Sequence, residues 1–357
     1  MKLIVSLGGS VMGSDPTPQR FWDLRTALET LRERGDEVHV VVGGGPLKEK
    51  FVQLSRACGL NDYVGDVLGI QLTRLYARLI ASVLGDAACQ DVPESVEEAV
   101  QARSTGKIVV MGGTEAGHST TAVAALFAEA IGAELLLKLT DVDGIYSSNP
   151  KTHQGAVRFE ELTYDEVTRI LGTPEFAAGT YDVLDAVALG VLQRSSVDTV
   201  YFDGSSSLLN ILKARSLEIG TYLTSRRKRE KVGEGLAALL KPLGLALSAE
   251  KLAYPPSPSG SHLLFLGHGL RLSVSFRASH TAPPTFLDES AAFRTSASAE
   301  LGVVLADVFS PAALSHAKKS GIRPFTFERL EGLVAKAHQR TSPIDAQSLR
   351  QLLGKSP

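Results

Sequence analysis

Four short apolar runs, each ending in a polar turn that carries glycine, limit the folds open to this chain more than any other feature. They are Lys2 to Leu7 before Gly8-Gly9-Ser10, Val38 to Val42 before Gly43-Gly44-Gly45, Lys107 to Met111 before Gly112-Gly113, and the run from Leu135 that meets Thr140-Asp141-Val142-Asp143-Gly144. A near-continuous apolar run of about five residues is what a strand buried on both faces requires. Segments of helical spacing separate these runs. Phe21, Leu24, Leu28 and Leu31 share a face after Pro18, and Leu47, Phe51 and Leu54 are expected on the inner face of the next helix. Asp66 to Leu84 and the AVAALFAEAIG segment after Thr121 read as two more helices. This alternation predicts an α/β fold with a mostly parallel sheet and helices on both faces. Ligands of such sheets bind outside the carboxyl ends of the strands, where the glycine and aspartate turns fall.

The turns supply the candidate site. A glycine pair lets the backbone approach a ligand closely, and free amides there can hold phosphate. Gly8-Gly9 and Gly43-Gly44-Gly45 therefore read as two walls of one phosphate site, or, taken singly, as ordinary strand exits. After Gly113 come Thr114, Gly117, His118, Ser119, Thr120 and Thr121. Ser119 or Thr120 can cap the helix that follows, and the same helix start can hold an anion. Asp141 and Asp143 belong at the rim, by function or by turn chemistry. Thr73 and Arg74 interrupt the long apolar helix, Arg74 as a solvated or salt-bridged group. The region continues with an exposed acidic helix from Pro93 to Arg103, a short helix from Leu162 to Leu171, and the GTPEFAAGTY loop from Gly172 to Tyr181. A helix from Asp182 to Ser195, a strand from Thr199 to Phe202, a helix from Leu208 to Ala214 and a strand from Thr221 to Ser225 complete it.

Charge divides the chain. Residues 1 to 225 hold 19 Lys and Arg against 29 Asp and Glu, a net of -10, while residues 226 to 357 hold 18 against 10, a net of +8. Two domains are expected, with a basic second module that suits nucleic acid, an acidic partner or its own acidic neighbour. Its run Arg226 to Lys231 reads as a linker or helix start, Gly233 to Leu247 as a helix, Leu263 to Leu266 and Leu270 to Phe276 as strands, and the stretch to Ala299 as polar and rich in small residues. Leu301 to Val308 reads as a strand and Pro311 to Ser320 as a helix. Two cysteines, Cys58 and Cys89, form neither a disulfide framework nor a metal cluster, and no metal site is expected. No uninterrupted apolar run reaches the roughly 18 residues of a membrane span, and no signal-peptide layout precedes the first strand, so the expected setting is the cytoplasm.

The ordered set GGS, GGG, DVLGIQLTR, MGGTEAGHSTTAVAAL, KLTDVDGIYSSNPK and AGTYDVLDAVAL resembles the amino acid kinase superfamily, and within it the archaeal type of uridylate kinase. The resemblance covers residues 1 to 225. It implies a three-layer αβα sandwich, a homo-oligomer such as a dimer or hexamer, and ATP-dependent phosphorylation of UMP to UDP with Mg2+. By resemblance, Thr140, Asp141, Asp143, Gly144, Tyr146, Pro150 and Lys151 surround ATP together with Gly8 and Gly9. Gly44, Gly45, Lys48, Asp66, Thr73, Gly113, Thr114, Ser119 and Thr120 surround UMP. Gly9, Ser10 and Asp185 belong to the transfer itself. Residues 226 to 357 form a smaller α+β accessory domain; its closing segment resembles the strand-helix-strand of restriction-endonuclease-like folds without the acidic residues and lysine that cut DNA.

The same resemblance exposes departures. Ser6 stands where a lysine precedes the Gly-Gly pair, and Gly190 where a second lysine follows Asp185 by five residues. Asn149 replaces an acidic residue before Pro150, and Lys48 replaces an arginine. Loss of two cations from a phosphoryl-transfer site costs transition-state stabilisation unless another group substitutes. Lys138 shares strand parity with Thr140, which makes it a candidate substitute or a solvated structural lysine. Three functions stay open: a UMP kinase, a catalytically silent nucleotide-binding regulator or scaffold, and a kinase of another small phosphate or carboxylate.

Overall fold

The computed structural model describes residues 1–12, 16–148, 150, 153–171, 185–216, 218–225, 236–241, 245–247, 261–267, 270–276, 284–299, 301–306, 311–326, 329–330, 332 and 335. The chain divides into two compact units, Met1–Ser225 and Arg226–Pro357.

The first unit is built on strands β1 (Lys2–Leu7), β2 (Glu37–Val42), β3 (Val110–Met111), β4 (Leu135–Thr140), β5 (Glu161–Thr163), β6 (Asp198–Asp203) and β7 (Thr221–Thr224). They form one sheet in the order β3-β2-β1-β4-β6-β7-β5. Every pairing is parallel except the antiparallel pair of β6 and β7. The helices are α1 (Gly9–Met12), α2 (Pro18–Glu33), α3 (Gly45–Ala57), α4 (Asp62–Leu84), α5 (Val96–Ala102), α6 (Thr120–Ile131), α7 (Tyr164–Leu171), α8 (Ala186–Ser195) and α9 (Asn210–Arg215).

Burial explains why the central strands read as near-continuous apolar runs. Ile4, Val41, Met111 and Leu136 pack in one core with Ala124, Phe127 and Ala128 of α6. Leu3, Val5 and Leu7, of opposite parity, are equally buried. Helix starts follow capping side chains. Asn61 accepts from the Val64 amide at 3.2 Å, so α4 begins four residues before the expected Asp66, and Ser95 accepts from Glu98 at 3.1 Å, so α5 begins at Val96. The buried Asp36 carboxylate, at the turn into β2, accepts from Arg215 of α9 at 3.0 Å and from the amino terminus at 3.1 Å. Burial alone would raise its pKa, but these two cations overcome that and hold it below the ordinary carboxylate range.

Some expectations are corrected. Leu47, Phe51 and Leu54 face solvent, at 40%, 39% and 61% exposure, because α3 packs on α4 through Val52 and Ser55 beside Gly65. Leu162 and Thr163, expected to open a helix, belong instead to the sheet-edge strand β5, and α7 starts only at Tyr164. The segment Asp62–Ala87 is long and apolar enough to cross a membrane by length and composition. Here it lies along α3, with Gly65, Gly69, Thr73, Ala77, Ile80 and Ala81 turned inward.

The second unit holds a five-stranded mixed sheet, ordered from Arg323–Phe325 through Leu301–Leu305, Leu270–Phe276 and Ser261–Gly267 to Ala246–Leu247. Ala246–Leu247 is a strand where helix was expected, and Pro284–Ser296, within the polar, small-residue stretch, is a helix. Phe265, Val274, Phe276 and Leu305 form the main core, and Leu287 packs with Val304 and Ala317 in another.

Candidate active site

The carboxyl ends of β1, β2, β3, β4 and β6 carry the site residues in this parallel array. The turns after β1 and β2 touch. A Cβ placed on Gly9 would stand 2.7 Å from the Gly45 nitrogen, and one on Gly43 would stand 2.9 Å from the Gly9 nitrogen. No real side chain tolerates such distances, so glycine is what lets the two loops become one wall. Ser10 follows in the short helical turn α1. Arg20 of α2 clamps this corner, donating to the Val11 carbonyl, to Gly204 at 2.9 Å and to Ser205 at 2.6 Å. The Lys48 stem lies over Gly44 and Gly69, within 2.6 and 2.7 Å of where their Cβ atoms would be.

The loop after β3 is held from below by α4. Thr73 is buried; its hydroxyl donates to the Ile70 carbonyl at 2.6 Å and accepts from the Gly113 amide at 2.7 Å. Arg74 is not a solvated group: its Nε donates to Gly113 at 3.2 Å, its Nη2 reaches the Thr114 carbonyl at 3.4 Å, and its Nη1 pairs with Glu94 at 2.6 Å. Asp66 accepts from the Gly117 amide at 2.9 Å. Ser119 caps α6, accepting from Thr121 at 3.1 Å and Ala122 at 3.0 Å, and donates its proton to Asp185. Asp185 caps α8 through the Ala188 amide at 2.8 Å. Thr120 opens α6 immediately after the cap. Asp185 thereby joins the starts of α6 and α8.

At the end of β4, Thr140 donates to Asp141 at 3.2 Å, and Tyr201 of β6 donates to Thr140 at 3.4 Å. Asp143 accepts from the Tyr146 hydroxyl at 2.7 Å, and Arg158 donates to the Asp143 carbonyl at 3.2 Å. Burial first, then the Asp143 carboxylate, raises the Tyr146 pKa, so the phenol keeps its proton. Gly144 is tightly enclosed: a Cβ would meet Thr221 Oγ1 at 2.7 Å and Arg158 Cδ at 2.8 Å. Pro150 lies in the turn that follows. Lys151, Asn149 and the Gly172 to Tyr181 loop fall outside the described residues. Lys138 is buried rather than solvated, with 8% exposure, and its ammonium donates to Thr121 at 2.8 Å.

Comparison with known proteins completes the assignment. Residues 1–202, more than half of the chain, match the Amino acid kinase family. The chain belongs to the amino acid kinase family. Uridylate kinase of Methanobrevibacter smithii is 39% identical over 227 residues, covering 63% of this chain and 100% of that protein. Uridylate kinase of Methanothermobacter thermautotrophicus is 39% identical over 221 residues, covering 62% of this chain and 98% of that protein. The crystal structure of uridylate kinase from Archaeoglobus fulgidus is similar with a TM-score of 0.57 at 35% identity, covering 63% of this chain and all of that one.

Two features of this amino acid kinase unit were not read from the sequence. Arg158 packs on the Asp143 turn across an isolated bridge between Tyr146 and Arg158. Asp203, opposite Thr140 in the register of β4 and β6, accepts from the Ser205 amide at 2.7 Å and hydroxyl at 2.6 Å. Burial pushes its pKa up, but these donors outweigh it and hold the carboxyl below its usual range. A DG-S turn ending an apolar strand was the available signal, the same one that marked the other loops.

Proposed function

We propose that residues 1–225 transfer the γ-phosphoryl group of ATP to UMP, giving UDP and ADP. An oxygen of the UMP phosphate attacks the γ-phosphorus, the bond from that phosphorus to the β–γ bridging oxygen breaks, and ADP leaves with the electron pair. Such a transfer needs alignment and charge cancellation more than covalent help from the protein. In this reading Gly8, Gly9 and Ser10 back the transferring phosphates. The turn Thr140 to Tyr146, with Pro150 and Lys151, holds ATP. Gly44, Gly45, Lys48 and the Gly113 to Thr120 loop hold UMP, with Asp66 and Thr73 fixing that loop. Asp185 acts as a positioning residue through Ser119. Mg2+ would come with the triphosphate and be held mainly by phosphate oxygens and water, since among the described residues no three Asp, Glu, His or Cys side chains cluster to hold a metal ion. That ion would neutralise phosphate charge.

The observation that supports the reading most is the direct contact of the Gly9 and Gly45 loops, between the Asp141 turn on one side and the Gly113 loop on the other. Similarity to uridylate kinases at 39% identity supports the choice of acceptor. The test is ADP release by the full chain with ATP, Mg2+ and each nucleoside monophosphate in turn. Turnover highest with UMP is expected. Tight UMP binding without turnover would replace the kinase by a nucleotide-binding regulator, and turnover with another acceptor would move the substrate assignment.

Self-association belongs to the same proposal, supported by Leu47, Phe51, Leu54 and Tyr63, which stand exposed on α3 and α4. A cytoplasmic setting fits the two free cysteines, Cys58 and Cys89. The net positive charge of residues 226–357 supports an accessory role in which that unit meets an anionic partner such as nucleic acid.

A further inference from the structure

The carboxyl end of β4 is flanked by the loops that leave its two neighbouring strands. The Gly8 amide, after β1, donates to Leu139 at 3.0 Å, and the Gly204 amide, after β6, donates to Thr140 at 2.9 Å. With β4 between them, these loops start about 10 Å apart. Arg20 closes that gap. Its Nη2 donates to the Val11 carbonyl of the first loop and, at 2.9 Å, to Gly204 of the second, and its Nη1 donates to Ser205 at 2.6 Å. Each carbonyl so held turns the amide of the next residue the opposite way, because a trans peptide sets its C=O and N–H antiparallel. In the second loop the amide beyond Gly204 is that of Ser205, and it meets the Asp203 carboxylate at 2.7 Å. One planar guanidinium thereby orients both the turn after Gly9 and the turn of Asp203.

Two features set Arg20 apart from an ordinary surface arginine. It lies in the first turn of α2, where a cation opposes the helix dipole, and no acidic residue shares that turn. Its Nε is buried without a hydrogen-bond partner, which costs stability. Fold stability alone gives little reason to keep such a residue there. We propose that Arg20 is a positioning residue of the phosphoryl transfer: it fixes the spacing of the loops after β1 and β6, and with it the line from the γ-phosphorus to the attacking UMP oxygen. The inference rests on the UMP kinase reading. In this role Arg20 touches neither nucleotide. It acts through the backbone of Gly9–Met12 on one side of the β4 end and through the Asp203 turn on the other. Loss of the bridge lets the two loops drift apart while the groups that bind the nucleotides stay present.

Arg20→Ala in the full chain should lower kcat for ADP release from ATP and UMP by about 10- to 100-fold, since a displacement of about 1 Å between reacting groups can cost that much. The KM values for ATP and UMP should each change by less than about threefold, because the loss falls on alignment rather than on binding. Millimolar guanidinium chloride, far below denaturing concentrations, should recover at least about fivefold of the lost rate in this variant, because the free ion can bond the same three carbonyls. Wild-type turnover should not respond to it, and sodium chloride at the same concentration should recover nothing. Arg20→Lys keeps the charge but lacks the planar fork, so it should stay at least about fivefold slower than wild type. Unchanged kcat in Arg20→Ala overturns the proposal and leaves the kinase reading standing. A loss of rate that guanidinium does not recover marks an arginine serving the fold alone and overturns it too. If Arg20→Ala does not fold, a folded Arg20→Lys with wild-type kcat overturns the proposal equally. Absence of UDP with the wild-type chain overturns the kinase reading and this inference with it.

Discussion

Thr73→Val is the substitution that tests the wiring beneath the acceptor loop. The Thr73 hydroxyl is buried under Gly113 and accepts from its amide at 2.7 Å. Valine keeps nearly the same volume, so no cavity opens, but it offers no acceptor. The Gly113 amide is then left buried and unpaired, which costs about 1–3 kcal/mol. The Ile70 carbonyl loses only a second donor, because it also lies within α4. Burying a methyl in place of the hydroxyl returns part of this, leaving a net destabilisation of about 1–2 kcal/mol. Thr73→Ser keeps the hydrogen bond and loses one methyl, which costs about 1 kcal/mol. Urea unfolding therefore separates the two variants poorly, whereas acceptor binding separates them well. Freed from its anchor, the Gly113 loop should bind UMP about five- to tenfold more weakly in Thr73→Val, since 1.4 kcal/mol is a factor of ten. Thr73→Ser should stay within about twofold of wild type. Equal UMP affinity of the two variants, measured by calorimetry, would refute the claim that Thr73 acts by anchoring Gly113.

Gly9→Ala should separate the two phosphate-wall loops, since its Cβ would stand 2.7 Å from a backbone nitrogen; a drop in kcat/KM for ATP at retained fold is expected, and full activity would contradict the contact. Asp36→Asn should cost about 3–5 kcal/mol in chemical unfolding, because it leaves the half-buried Arg215 without its carboxylate partner. The Arg103 hydrogen bond holds Glu37 at a pKa of about 2, against burial, with a smaller contribution from His39. A depressed carboxylate stabilises the fold above its unfolded pKa of 4.5, and that contribution is lost as pH falls from 4.5 toward 2. About a third of the side chain remains exposed, so water screens the pair and the contribution is about 1 kcal/mol at most. Acid unfolding of Glu37→Gln should show a correspondingly shallower pH dependence over that range than wild type.

The strands that carry the site were legible because burial on both faces forces near-continuous apolar runs, as in Leu3 to Leu7 and Leu135 to Leu139, each interrupted at one position, by Ser6 and by Lys138. The loops were legible because backbone contact between Gly9 and Gly45 tolerates no side chain. What stayed hidden depends on pairings distant in sequence. β5 spans three residues, too few for a period of two to emerge, and it exists because β7 offers it a partner. The inward face of α3 was misread because Leu47, Phe51 and Leu54 share a helical face that turns outward. Nothing local shows that the Lys48 stem, rather than these residues, closes on Gly69. Lys138 was a candidate by parity, but its proximity to Gly8 follows from the β1–β4 register across more than a hundred residues. Arg158 and Asp203 escaped notice because their partners, the Asp143 carbonyl and Ser205, are backbone and turn groups.

In the proposed reaction one rim of this sheet brings a phosphoryl donor and a nucleoside monophosphate into line. The most direct measurement follows the γ-phosphoryl group of isotopically labelled ATP in the presence of Mg2+, UMP and the full chain. Label in UDP, with ADP formed in equal amount, is the expected result. Binding of both nucleotides with the label remaining in ATP would contradict it.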